Sequence, residues 1–212
     1  MPLLLPGEAR SRPSLVEMLI AVAVVIGLCS LGCATPPARA TRTRRLPAPV
    51  VAAAHAQMAR ADRRPAPRPD EGSAFVARAL RDGGLRFGTD GSTRALWEYL
   101  RLAHDTVDAA QARAGDVLFF DTRATIAAPD CDDATDHAGI VESIEPDGRI
   151  VFVEARAGEV RRSVVDPAHP TLRRTERGEI ANTFLRPMRV TDRPATRYFA
   201  AQMLCGIARV TR

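Results

Sequence analysis

The sequence predicts an α+β domain in which helices come first and antiparallel strands follow, and three observations carry that expectation. Apolar residues recur at helical spacing over residues 73–81 and 92–102. The period then shortens to that of a strand at Val117–Phe120, a short buried run of Val, Leu and Phe. Residues 138–144 and 149–155 are two further β-rich runs, and Glu145, Pro146, Asp147 and Gly148 supply turn chemistry between them.

Taken in order, the chain opens with an address. Residues 18–32 form an uncharged apolar run of about 15 residues, preceded by Arg10 and Arg12. That length suits a signal-peptide core better than a spanning helix, which needs ~20 residues. The run ends in Leu31, Gly32, Cys33 and Ala34, which resembles a bacterial lipobox with Cys33 as the lipidated residue. Ser30 stands where leucine is usual. Ser14 to Ile20, with Glu17, is also similar to the start of a pilin helix, but Pro36 and Pro37 break such a helix early. Lipoprotein anchor, uncleaved anchor or plain signal, and pilin-like processing all place the rest of the chain outside the cytoplasm. Residues 1–33 are thus expected to be the signal or anchor.

Residues 34–71 are rich in Ala, Pro and Arg, which keeps a chain extended, and the expectation is a spacer. A short helix fits residues 50–60, and His55 within it reads as solvated. The domain is expected over residues 72–212. Ser73 is a candidate cap for the first helix, and Asp82, Gly83 and Gly84 stop it. Asp90 or Ser92 caps the second, whose core side carries Leu96, Trp97 and Leu100. Residues 159–165 and 183–188 are candidate strands. Phe199, Met203, Leu204 and Ile207 predict a helix over residues 196–209.

The net charge of +5 comes with 30 basic residues, all of them arginine. These are scattered, and aromatics are only 5%, so the basic-aromatic pattern of a nucleic-acid surface is missing. A basic envelope protein suits anionic wall polymer or lipid. Cys131 and Cys205 are compatible with one disulfide or with two unrelated thiols. Five aspartates between Asp121 and Asp136 raise a calcium site, but their spacing is not that of an EF-hand, and a solvated acidic loop is the simpler reading. No metal set and no cofactor is predicted.

Two segments carry a family resemblance. Ala114-Gly115-Asp116-Val117-Leu118-Phe119-Phe120 and Asp136-His137-Ala138-Gly139-Ile140-Val141-Glu142-Ser143, continued through Asp147-Gly148-Arg149 to Glu154, resemble the CHAP family and the related NlpC-type amidases. The likeness covers about residues 82–166. It implies a papain-like fold, with N-terminal helices packed on a small antiparallel sheet, and action on peptidoglycan or other cell-wall peptide. In such families a cysteine at a helix N-terminus attacks an amide, a histidine serves as its base, and a polar residue on the next strand orients that histidine. Carried over by position, the histidine is His137 and the orienting residue is Glu154, 17 residues later. An Asp147-Gly148 two-residue turn pairs Val141 with Glu154, so contact with His137 requires a bulge or strong twist.

The nucleophile position departs from the family. Asp90-Gly91-Ser92-Thr93, followed by Trp97 and Tyr99, stands where the family has its cysteine motif, and Gly91 falls at the cysteine. Ser92 and Cys131 are the substitutes within sequence reach. The implied cleft is lined by Asp90, Gly91, Ser92, Trp97, Asp136, His137 and Glu154. The expected function is a wall-peptide-binding pseudoenzyme. The alternative is a structural or interaction lipoprotein with no wall ligand.

Overall fold

The computed structural model describes residues 47–61, 71–85, 91–123 and 128–211. The apolar run 18–32, Cys33 and Asp90 lie outside the described residues. All described residues belong to one compact unit, Thr43–Arg212. No helix among them is long and apolar enough to cross a membrane.

The architecture is α+β, an open antiparallel sheet of six strands with helices against it. Three helices come first: α1 (Pro47–Ala61), α2 (Glu71–Asp82) and α3 (Thr93–Ala103). Strands β1 (Asp105–Thr106), β2 (Val117–Phe120), β3 (His137–Ile144), β4 (Ile150–Arg156), β5 (Glu159–Val165) and β6 (Leu204–Arg209) follow, with one-turn helices α4 (Cys131–Ala134) and α5 (Ala200–Met203) between them. The order across the sheet is β1-β6-β2-β3-β4-β5.

Period-2 alternation divides the strand side chains between two cores. Val117, Phe119, Ala138, Ile140, Val153 and Ala208 pack with Val50, Val76, Leu80, Leu96, Trp97 and Leu100 of the three helices. Leu118, Phe120, Val141, Ile150, Phe152 and Val165 pack with Leu185, Ala200, Met203 and Ile207. Each fully buried Leu or Phe contributes roughly 1.5–3 kcal/mol.

Four expectations change. Residues 47–61 are not spacer. Val50 and Ala54 of α1 are fully buried, Gln57 donates to the Phe75 carbonyl, and a Cβ on Gly83 would lie 2.6 Å from Val50. His55 is not incidental either, because its Nε2 is 2.6 Å from Glu142 Oε1. Residues 183–188 form no strand and contribute one bridge, Phe184 to Phe199.

The largest change is at the C-terminus. Only Ala200–Met203 is helical, and Leu204–Arg209 is β6, inserted between β1 and β2. Phe199, Met203 and Ile207 fit a helical period, but backbone pairing with β2 and β1 decides the outcome. Gly206 permits it: a Cβ there would lie 2.6 Å from the Trp97 ring.

Candidate functional site

The site lies at the end of the sheet where β3 begins and β4 ends. Its geometry starts from the β3–β4 hairpin. The turn is one residue longer than the sequence suggested. Glu145 and Arg149 close it around Pro146, Asp147 and Gly148, and Gly148 takes φ +88°. Glu142 is then bulged between Val141 and Ser143. The two changes together place Glu154 opposite Gly139 rather than Val141. His137, two residues along the same face, becomes its diagonal neighbour.

Contact follows: His137 Nε2 lies 2.5 Å from Glu154 Oε2, and both side chains are buried, Glu154 completely. Glu154 also accepts from Ser163 Oγ at 2.6 Å and from Arg161 Nε at 3.1 Å. Arg161 pairs directly with Glu154 in the β4–β5 register, and Ser163 lies two residues along the same face. Burial pushes the Glu154 carboxyl up. The His137 hydrogen bond and charge, the Ser163 hydroxyl and the Arg161 charge outweigh it and hold the group below the usual glutamate range.

An ionised Glu154 only accepts, so the hydrogen bond between them places a proton of the ring on Nε2. Nδ1 is thereby turned to the other side of the ring, where α2 begins. A Cβ on Gly72 would sit 2.9 Å from Nδ1, so glycine is what lets the first turn of α2 approach this nitrogen. The arrangement fixes the orientation of the imidazole ring.

The opposing wall is the start of α3. Ser92 is the N-cap, and its hydroxyl accepts from Ala95 N at 3.1 Å. Thr93 Oγ1 donates to the Asp136 carbonyl at 3.3 Å, which ties α3 to the residue before His137. Ser73 Oγ donates to the Gly91 carbonyl at 2.7 Å and ties it to α2. Gly91 has φ +88°, a conformation that side chains rarely adopt, although the space around its Cβ position is open.

Between the walls lies a cleft of about 860 Å³, within the range of small-molecule sites. Gly91, Ser92, Asp136 and His137 line it together with Gly72, Ser73, Arg94 and the β4–β5 turn. Glu154 supports it from beneath. Trp97 does not line it. That ring is buried edge-on against Phe119, with centroids 5.1 Å apart, and its Nε1 donates to Asp132. Asp136 lines the cleft while its carboxylate accepts from Thr122 N and Oγ1.

No family model matches the chain, and no curated protein or solved structure matches it either.

Cys131 and Cys205 form a disulfide with Cα atoms 5.2 Å apart, which removes Cys131 as a substitute nucleophile. The acidic segment has structural partners. Asp130 caps α4, Asp132 accepts from Trp97 Nε1, and Asp121 accepts from Arg123. No cluster of metal-ligating side chains occurs among the described residues. Sequence reasoning missed Arg161 and Ser163. Their signal was present, two polar residues alternating on β5, but it became readable only once the register set Glu154 opposite Arg161.

Proposed function

We propose that the chain is an exported, membrane-tethered protein with a papain-like, CHAP/NlpC-type cleft that binds peptides of the bacterial cell wall without cysteine chemistry. One observation carries the reading. A buried His137–Glu154 dyad, supported by Ser163 and Arg161, opens on a cleft whose facing wall carries Gly91, the position where the family resemblance would put a cysteine. Burying a carboxylate is costly unless every lone pair is engaged, and this one is engaged from three directions. A scaffold helix needs no such network.

In the proposed role, the Nδ1 lone pair of His137 accepts a hydrogen bond from a ligand N–H, and Glu154 fixes the ring in that orientation. Gly91 offers no thiol to form an acyl intermediate, so ligand is held rather than cleaved. Ser92 is engaged as the α3 cap.

The test uses the full chain in mild detergent, because α1 belongs to the core. Wild type, His137→Ala and Gly91→Cys are compared for retention on insoluble peptidoglycan and for release of wall fragments. Retention by wild type that weakens in His137→Ala, with no turnover by wild type, is the expected result. Wall cleavage by wild type that survives His137→Ala would overturn the reading. Failure of every form to bind wall would leave an interaction lipoprotein as the better description.

A further inference from the structure

The connection between β5 and α5 leaves the core at Leu185 and re-enters it at Ala200. Its two ends meet. Phe184 bridges Phe199, and Leu185 N donates to the Tyr198 carbonyl at 2.9 Å. The chain between them, residues 186–197, is a closed loop of the Ω kind. Asp192 holds its neck. That carboxylate accepts from Arg186 Nη2 at 2.5 Å, from the Tyr198 hydroxyl at 3.1 Å and from Arg189 N at 2.7 Å. The Arg186 and Asp192 side chains are only 13% and 8% exposed, so this ion pair is a fixed strut rather than a surface contact. Asp192 N donates back to the Arg189 carbonyl at 3.0 Å, which closes a turn with Val190 and Thr191 at its tip.

What the strut presents is apolar. Val190 is the most exposed large apolar residue described, and Met188 beside it is 68% exposed. Pro187 and Pro194 flank them, both exposed, and stiffen the loop because each ring fixes φ. Arg189 and Arg193 bracket the turn. Both are exposed, and neither forms an ion pair among the described residues. Single exposed apolar residues are ordinary on any surface. Here two of them share one braced tip with two cations, and that combination is complementary to a bilayer with anionic headgroups. A protein partner fits less well. Residues 187–195 fall short of the roughly 20–30 residues that a specific interface takes from each partner.

We infer that the tip at Val190 is a membrane-docking point, which inserts Met188 and Val190 among anionic lipid headgroups while Arg189 and Arg193 pair with their phosphates. The inference rests on the chain being tethered to a membrane, and it adds a second contact to that tether. Fourteen residue steps separate Cys33 from Pro47, a reach of at most about 50 Å. An anchor in the N-terminal apolar run therefore keeps the domain close to the bilayer, where a weak surface contact forms at raised effective concentration. Docking at Val190 then sets which side of the domain faces the lipid.

The experiment reconstitutes the full chain in vesicles of phosphatidylglycerol or of phosphatidylcholine, with acyl chains that carry bromine, a quencher of tryptophan. Trp97, the one tryptophan of the sequence, is buried in the core and gives the background. Val190→Trp places a reporter at the tip, and the positions changed are exposed, so the variants do not touch the core. The reporter is expected to be quenched, with its emission shifted to the blue, on phosphatidylglycerol and not on phosphatidylcholine. Arg189→Gln with Arg193→Gln should remove the quenching, and so should about 1 M salt, which screens charges beyond ~3 Å. Flotation of wild type with the vesicles is read in parallel. A chain that floats while residue 190 stays unquenched on both lipids would overturn the docking point, leave the tether standing and make a protein the better occupant of the tip. Quenching that is equal on the two lipids and survives loss of both arginines would overturn the anionic-lipid assignment. A wild type that floats with neither lipid would overturn the tether and the docking point together.

Discussion

The β4–β5 wall of the cleft and the α3 wall face the same space but are built on opposite principles. On the first, Glu154 is fully buried and accepts from three side chains on two strands, and the ring it orients belongs to β3. On the second, Gly91 and Ser92 are exposed, one in a positive-φ conformation and the other capping a helix. The difference teaches where specification resides. A buried polar network is tolerable only when complete, so each member fixes the others. An exposed helix start tolerates the loss of a side chain, because water replaces whatever the side chain touched.

The sharpest way to break this comparison is to remove the centre of the first wall. Glu154→Ala strands Arg161, Ser163 and His137 together and should cost about 3 kcal/mol or more, read as a lower urea midpoint. A loss no larger than that of an exposed residue would mean that the wall is not a network. Second in size is the disulfide. Replacing Cys131 and Cys205 by Ala should cost about 2–4 kcal/mol, because it frees a loop of 74 residues in the unfolded chain.

Third comes pH. The folded-state pKa of Glu154 lies below its ordinary value, so the native state binds fewer protons than the unfolded chain on the acid side. Its stabilisation is therefore complete above about pH 4.3 and is lost as pH falls through the folded value. Glu154→Gln should flatten the acid limb of a stability-versus-pH curve. A shallower slope should remain from Glu142, whose carboxyl is likewise held down, by the Arg162 hydrogen bond first and that of His55 after it. An unchanged limb would show that Glu154 is not the group titrating.

The smallest effects sharpen the comparison at two backbone positions. Gly91→Ala should cost about 1 kcal/mol from its φ alone, since nothing crowds the new methyl. Ala157, at φ +52°, carries the opposite mismatch, so Ala157→Gly should stabilise by up to about 1 kcal/mol. Thermal midpoints that move together rather than apart would refute the assignment of strain to these φ values.

Local signals made much of this legible. Helical spacing over Leu96, Trp97 and Leu100 and the turn residues around Asp147 and Gly148 gave elements within a residue or two of those observed. The pairing of His137 with Glu154 followed from position and face, and the bulge required for it is present at Glu142. What escaped was decided at long range. Leu204–Arg209 has apolar spacing that suits helix or strand, and only the vacancy beside β2 selects strand. His55 sits 87 residues from Glu142, beyond any local pattern. Trp97 follows the helix start in a way that suggests a cleft residue, yet Gly206 opens a slot for its ring in the core.

The disulfide also divides the chain covalently. The ring closed by Cys131 and Cys205 contains β3, β4 and β5, and with them His137, Glu154, Arg161 and Ser163. Gly91, Ser92 and the whole of α3 lie outside it. In the oxidised unfolded chain the four residues are thus confined to a single loop of the polymer, where they meet at raised effective concentration. The helix start that faces them across the cleft must find them as an open chain does.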